Sequence, residues 1–335
     1  MYRHFCTFFD DQYLAKGLAL YHSLERHCPH FQLWALCLNR PAYDILTELN
    51  LPHLRLIALE DFERGDSALL AAKANRSLIE YYFTCTPSLP LYILERNPEI
   101  ELITYLDADL FFFAEPTPVY DEIGDSSIAI IEHRYSEANQ YKRIFGIYNV
   151  GWVSFRNDEQ GIECLRWWRE RCLEWCGDKV KDGRYADQGY LDDWPERFSG
   201  VKVLQHKGAN LAPWNLSNYK IHWDGECLLV DEQPLIFFHF HDCKQVYSWL
   251  YDSKLAPNNT ALSWAVRRFI YKPYLQTLQQ IEDQYLARFR SRRAPQRAAI
   301  RYVEDGKQGT VSIMTNVLKG LAKRQYILLI KGRAL

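Results

Sequence analysis

Asp107 and Asp109 stand one residue apart at the end of the apolar run Glu101-Leu-Ile-Thr-Tyr-Leu106. On a strand, residues i and i+2 point to the same side, so both carboxylates can face one point beyond the sheet edge. Hard oxygen ligands of this kind suit Mn²⁺ or Mg²⁺, and such an ion keeps positions open for phosphate oxygens. The spacing predicts a metal–diphosphate site at the carboxyl end of a buried strand. Two solvated turn aspartates would give the same tripeptide, because Asp often closes a strand. The surrounding elements have to decide.

Those elements alternate. His4–Phe9 reads as a first strand, followed by a helical pattern through Leu14, Leu18, Tyr21 and Leu24. Phe31–Leu38 and Leu54–Leu59 read as strands flanking a short helix over Ala42–Leu49. Ser67–Phe83 reads as one helix, Pro87 opens another through Leu94, and Glu101–Leu106 is the strand that delivers the aspartates. Strands alternating with helices predict an α/β fold with a largely parallel sheet covered on both faces. In such sheets ligands bind beyond the carboxyl ends of the strands, where Asp107 and Asp109 fall. Further on, Ile128–Ile131 and Gly151–Phe155 read as strands, Glu159–Trp175 as a helix, and Glu226–His241 as a hairpin turning at Asp231–Gln233. Ala261–Arg290 is helical in pattern, with no strand signal after it. This gives a mixed α/β catalytic domain over residues 1–255 and a helical, basic extension over 256–335.

Composition narrows the class. Aromatics make up 15% of the 335 residues, with 22 Tyr and 10 Trp, an abundance that carbohydrate sites use as stacking floors. The nine cysteines are odd in number, and Cys172 and Cys176 lack a second cluster, so neither a disulfide framework nor a zinc site is legible. Reduced thiols in a cytoplasmic protein fit this usage. No signal peptide or membrane-spanning run is visible, and the Asn-x-Ser/Thr triplets at Asn75, Asn215 and Asn258 then carry no glycan. Net charge is −2, but Leu286–Leu335 holds twelve Arg or Lys against Glu304 and Asp305, a local +10 that leaves −12 for the rest. An acidic body without a nucleic-acid motif argues against a nucleic-acid partner. The tail instead predicts peripheral contact with an anionic membrane: Val311, Met314, Leu318 and Leu321 repeat at helical spacing beside Lys319, Lys323 and Arg324, with Ile327–Ile330 as an apolar patch. Packing of the same stripe on the body is the alternative.

Five short segments then fall in a recognisable order: Phe8-Phe-Asp-Asp-Gln-Tyr13, Tyr105-Leu-Asp-Ala-Asp109, Tyr148-Asn-Val-Gly151, Asp187-Gln188 and Phe238-His-Phe-His241. Together they resemble the GT-A glycosyltransferases, and among them family 8, which includes bacterial lipopolysaccharide galactosyltransferases and glycogenin. The resemblance implies a GT-A fold, a Rossmann-like mixed sheet. It also implies a Mn²⁺- or Mg²⁺-dependent enzyme that moves a sugar from a nucleotide-diphosphate sugar, a UDP-sugar above all, to a glycan or glycolipid acceptor. Bacterial surface polysaccharide synthesis at the inner face of the cytoplasmic membrane is the implied setting. Three departures mark a distant member: Gly189 replaces the third residue of Asp-Gln-Asp, Asp242 replaces the glycine after the late histidine, and the phosphate-gripping Lys-Pro-Trp is missing, with Lys244 close by.

On this resemblance Asp107 and Asp109 hold the metal and His239 is the third ligand, although His241 shares its side of the strand and either could serve. Thr7, Phe8, Asp10 and Tyr13 hold base and ribose. Lys73 and Arg76, three apart on one predicted helix face, are placed to reach the diphosphate. Asn149, Asp187 and Gln188 line the sugar pocket, with Gln188 at the reactive face of the donor sugar if the enzyme retains configuration. An inverting enzyme would need a carboxylate base, for which Asp192 and Asp193 are nearest. Asn210, Trp214 and Asn215 are open between donor, acceptor and loop-packing roles. Two other classes compete: a metal-dependent phosphohydrolase, whose motif would carry Thr or Val where Leu110 and Phe111 follow, and a non-catalytic nucleotide- or glycan-binding protein.

Overall fold

The structure, a computed structural model, describes residues 2–247, 249–292, 326–330 and 333–334. The first half runs β1 (Arg3–Phe9), α1 (Leu14–His27), β2 (Phe31–Cys37), α2 (Arg40–Leu49), β3 (Leu54–Ala58), α3 (Leu59–Glu63), α4 (Ser67–Asn75), α5 (Leu78–Arg96) and β4 (Leu102–Leu106). The single helix expected over Ser67–Phe83 is broken at Arg76–Ser77, and Pro87 does not open a helix. Ser77 and Glu80 form a capping box, with the Ser77 N–H donating to the Glu80 carboxylate at 2.9 Å. That box ends one helix and starts the next despite continuous apolar periodicity. Pro87 and Pro90 lie inside α5, where each removes a ladder bond at a cost of about 3 kcal/mol. Burial of Tyr81, Cys85, Leu89, Ile93 and Leu94 in one core cluster offsets that cost.

After β5 (Leu110–Phe112) come α6 (Thr117–Ile123), β6 (Ile128–Glu132), β7 (Tyr148–Arg156), α7 (Glu159–Glu174), α8 (Trp194–Arg197) and β8 (Val201–Leu204). The central sheet has the order β3-β2-β1-β4-β7-β6-β8, and β7 alone is antiparallel to its neighbours. β1 pairs with β2 on one side and β4 on the other, so the strand order reverses between β1 and β4. A crevice opens at the carboxyl ends of such a pair. Asp10 leaves β1 there and Asp107 leaves β4.

The expected hairpin is shorter than read. β9 (Ile221–Trp223), β10 (Leu228–Val230) and β11 (Gln233–Pro234) make a small antiparallel sheet, and β12 (Phe237–His239) leaves it to pair with β5. The buried Phe237 and Phe238 find their partners there rather than in the hairpin.

β13 (Lys244–Tyr247) and β14 (Leu250–Asp252) lead to α9 (Lys272–Ile281) and α10 (Ala287–Arg292), with π-helical turns at Val266–Tyr271 and Glu282–Leu286. Tyr274 stacks on Phe240 at 3.7 Å between centroids, and Tyr271, Leu275 and Leu278 join the core cluster that holds Phe9, Phe111 and Phe238. Residues 271–278 thus back the strand pair that carries the site. The segment after residue 256 is not helical throughout. β15 (Tyr326–Ile330) pairs with β14 and with β16 (Arg333–Ala334), and Ile327 is buried between the partly exposed Tyr326 and Leu328. That alternation is a strand's, so Ile327–Ile330 does not extend an amphipathic helix. The stripe Val311–Arg324 lies outside the described residues. Among those described, no helix is long and apolar enough to cross a membrane.

Candidate active site

The turn between β4 and β5 carries both aspartates and is held against β7, since the Asp107 N–H donates to the Gly151 carbonyl at 3.2 Å. β12 runs antiparallel beside β5 with His239 opposite Leu110, and the Phe240 N–H donates to the Asp109 carbonyl at 2.9 Å. This register brings His239 Nε2 to 3.0 Å from Asp109 Oδ1 and 3.6 Å from Asp107 Oδ2. One donor atom from each of the three residues lies within 4.8 Å of the others. Two carboxylates and an imidazole so spaced fit an ion of the size of Mn²⁺ or Mg²⁺.

The far side of His239 supports that fit. Its Nδ1 donates to Asn149 Oδ1 at 3.2 Å. The Asn149 amide is oriented from every side: Oδ1 also accepts from the Gly151 N–H at 3.2 Å, and Nδ2 donates to His133 Nε2 at 3.3 Å and to Gln188 Oε1 at 3.2 Å. His133 in turn donates from Nδ1 to the Ile147 carbonyl at 3.1 Å, and burial pushes its pKa down to about 3, which keeps the ring neutral. This relay fixes the tautomer and ring plane of His239 so that Nε2 faces the aspartates. Gly151 is required sterically: a Cβ there would sit 2.6 Å from Asn149 Oδ1 and 2.9 Å from His239 Nδ1.

Charge is unevenly shared between the aspartates. Burial works against ionising Asp109, but His239 and then Lys16 outweigh it and hold the carboxylate well below its usual range. Lys16 Nζ lies 3.6 Å from Asp109 Oδ2 and 4.2 Å from the centre of the Tyr13 ring. Asp107 shifts the other way, because burial, aided by the Asp109 charge, outweighs His239. Such a pair gains most from a cation that neutralises both.

A cavity of about 790 Å³ opens over this cluster, within the range of about 300–1,000 Å³ usual for small-molecule sites. Phe8, Asp10 and Tyr13 reach it from the end of β1, with Tyr82 from α5, and Asp187, Gln188, Trp214 and His241 line it elsewhere. Gln188 is held at both ends of its amide, since Nε2 donates to the Phe145 carbonyl at 2.8 Å while Oε1 takes the Asn149 proton. Asp187 is buried, its carbonyl accepts from Trp168 Nε1 at 2.9 Å, and burial pushes its carboxyl up to about 7.

Two Bacillus subtilis (strain 168) proteins match along most of the chain. YfnD is 32% identical over 297 residues, which cover 85% of this chain and 92% of YfnD. YfnF is 35% identical over 244 residues, covering 70% and 80%. The chain belongs to the YfnD/YfnF family. Both relatives are named as uncharacterised proteins, and no protein-family model matches the chain. Among solved structures, the galactosyltransferase LgtC, in complex with donor and acceptor sugar analogues, aligns with a TM-score of 0.53 over 82% of this chain and 95% of its own, at 16% identity. This YfnD/YfnF-family protein has the GT-A fold, at the distance from family 8 that its altered motifs imply.

In the YfnD/YfnF-family protein His241 lies at the cavity but outside the three-residue donor set. β12 ends at His239 and Asp242 takes a left-handed backbone (φ 58°), so the period-two argument stops two residues short of His241. Other expected residues lie elsewhere. Thr7 is fully buried within β1 and does not reach the cavity. Lys73 pairs with Glu63 at 2.7 Å. Arg76 caps α4 and donates to the Thr84 hydroxyl and to the Cys172 and Leu173 carbonyls, so neither cation faces a diphosphate. Asn210 is buried, in the left-handed region that Asn tolerates (φ 58°), and donates to the Glu132 carbonyl at 3.2 Å. Asn215 fastens the same loop to the carbonyls of His133 and Asn210. Lys244 is exposed on β13 opposite Asp252, away from the cavity. Asp192 accepts from the Ile147 and Tyr148 N–H groups, and neither it nor Asp193 lines the cavity. Sequence reasoning missed Lys16, Tyr82, His133, Tyr135 and Lys142, all at or beside the cluster. His133 alone carried a signal, as a polar residue just past the carboxyl end of a buried strand.

Proposed function

We propose that this protein is a metal-dependent glycosyltransferase that moves a sugar from a nucleotide-diphosphate sugar, a UDP-sugar first among them, to a glycan or glycolipid acceptor. The observation that carries this is the convergence of Asp107, Asp109 and His239 at the point where the strand order reverses, inside a cavity large enough for a sugar nucleotide. LgtC, a galactosyltransferase solved with donor and acceptor sugar analogues, shares the fold and supports the class. Residues 1–255 form the catalytic part on this reading, and 256–335 an extension that supports it.

Asp107, Asp109 and His239 would hold Mn²⁺ or Mg²⁺, which supplies charge neutralisation for the departing diphosphate. Phe8, Asp10, Tyr13 and Tyr82 receive base and ribose. Lys142 and Lys254, both at the cavity, take over the phosphate role expected of Lys244. Asn149 positions His239 and Gln188 together, while Asp187 and Gln188 face the donor sugar. A fixed glutamine beside the sugar, with Asp192 committed to backbone N–H groups, supports retention of configuration. Bacterial surface polysaccharide synthesis, with the acceptor met at the cytoplasmic face of the membrane, is the setting that fits.

Thermal-shift screening with Mn²⁺ and a nucleotide panel tests the reading, followed by mass spectrometry of acceptors incubated with UDP-sugars. A metal-dependent shift selective for UDP is expected. A response to phosphate monoesters alone would move the protein to the hydrolases.

A further inference from the structure

The large aliphatic side chains left exposed among the described residues are Leu70, Leu78, Ile79, Ile144 and Val180. Four of these five lie on three segments that meet at the mouth of the cavity. Leu78 (64% exposed) and Ile79 (45%) open α5, and Ile79 itself lines the cavity. Ile144 (59%) and Tyr141 (60%) sit on the 3₁₀ segment Glu137–Phe145, whose Lys142 and Phe145 line the cavity. Val180 (41%) sits on the loop that leads to Tyr185, another lining residue. Contacts join the three: Phe145 meets Tyr185 edge-on at 4.9 Å, and the Asp178 N–H donates to Glu80 Oε1 at 3.3 Å.

Exposed Leu, Ile and Val gathered at one opening need a partner, since contiguous apolar surface on a soluble body marks an interaction site. Charge selects the kind. Residues 77–80, 137–145 and 177–185 carry Lys142, Arg143, Lys179, Lys181 and Arg184 against Glu80, Glu137, Asp178 and Asp182, a net +1 on a body that sums to −12 before its basic tail. Aliphatic side chains interleaved with basic ones match the boundary of an anionic bilayer, where tails take the former and headgroups the latter.

We propose that this rim docks on an anionic phospholipid surface, with the cavity opening onto the membrane plane. Membrane binding at the rim does not require the transferase reading. Its consequence, delivery of a membrane-held acceptor to the donor site, rests on that reading.

The test is co-sedimentation of the full-length protein with vesicles of phosphatidylcholine alone or mixed with phosphatidylglycerol. Binding is expected only with phosphatidylglycerol and should weaken as salt is raised. Leu78→Asp, Ile144→Asp and Val180→Asp together should abolish it. The Asp at position 78 also suits a helix N-terminus, so α5 is kept. Lys179→Glu with Lys181→Glu should weaken binding roughly thirty-fold or more; it decides the matter if the triple variant unfolds. Vesicle binding unchanged in both variants, or no binding by the wild type at low salt, overturns the proposal. A dimer in solution lost with the same substitutions, without vesicle binding, also overturns it and assigns the rim to a second copy. The Mn²⁺- and UDP-dependent thermal shift is read in parallel. Its absence in a wild type that binds vesicles through the rim sinks the transferase reading and leaves the membrane surface standing.

Discussion

His239 Nε2 stands 3.0 Å from Asp109 Oδ1, although one residue ends β12 and the other sits in the turn before β5. The antiparallel register that sets His239 opposite Leu110 is what closes this distance. Lys16 approaches the other oxygen of the same carboxylate at 3.6 Å. Asp109 therefore lies between an imidazole and an ammonium group, which hold its carboxyl well below the usual range despite its burial.

Asp107→Asn and Asp109→Asn should each abolish Mn²⁺-dependent nucleotide binding while leaving the fold intact, because the amide keeps shape and loses charge. Isothermal titration with Mn²⁺ and UDP reads the loss. Full transfer activity of either variant in EDTA would sink the metal assignment.

Asn149→Ala should weaken Mn²⁺ binding roughly 10–100-fold, the usual consequence of removing the group that orients a metal-bound histidine. It should also free one end of the Gln188 amide. Gly151→Ala should mimic the metal defect through the clash of its Cβ with Asn149 and His239, at a stability cost of about 1–3 kcal/mol. Metal titration of the two variants checks this. Wild-type affinity in both would show that His239 needs no support.

Much of this was legible in the chain. In the run Leu102–Leu106 every residue after the half-buried Leu102 is buried, as a central strand's apolar residues must be, and Asp107 and Asp109 do face one point, though from the turn after β4 rather than by strand alternation. Local chemistry was also legible but outvoted at Ser77, where a capping box ended a helix that apolar periodicity continued. Lys73 and Arg76 were misplaced for that reason, since a shared helix face needs a shared helix. The Asn149 relay could not be read, because its partners come from the loop after β6, from β7 itself, from β12 and from the loop at Gln188. Lys16 belongs with it: its distance to Asp109 depends on how α1 packs against β5, and periodicity does not report that.

Gln188→Ala should keep UDP affinity and lose turnover, roughly a hundredfold in kcat, or about 2.7 kcal/mol of transition-state stabilisation. Its amide touches Asn149 and the Phe145 carbonyl rather than the groups around Tyr13. Equal losses in UDP binding and turnover would put Gln188 in the nucleotide site instead.

Asp187 gives a pH signature with a defined sign. Burial raises its carboxyl from 3.8 to about 7, so between those values the folded chain keeps a proton that the unfolded chain has released. Stability must then fall as pH rises through that window and become level above it, with a full cost of about 4 kcal/mol as an upper bound. Asp187→Asn removes the ionisation and keeps the volume. Its melting temperature should match the wild type near pH 4 and exceed it increasingly toward pH 7, with no further gain beyond. Thermal unfolding of both proteins across that range measures the difference, and parallel curves would mean that Asp187 is already ionised in the fold at low pH.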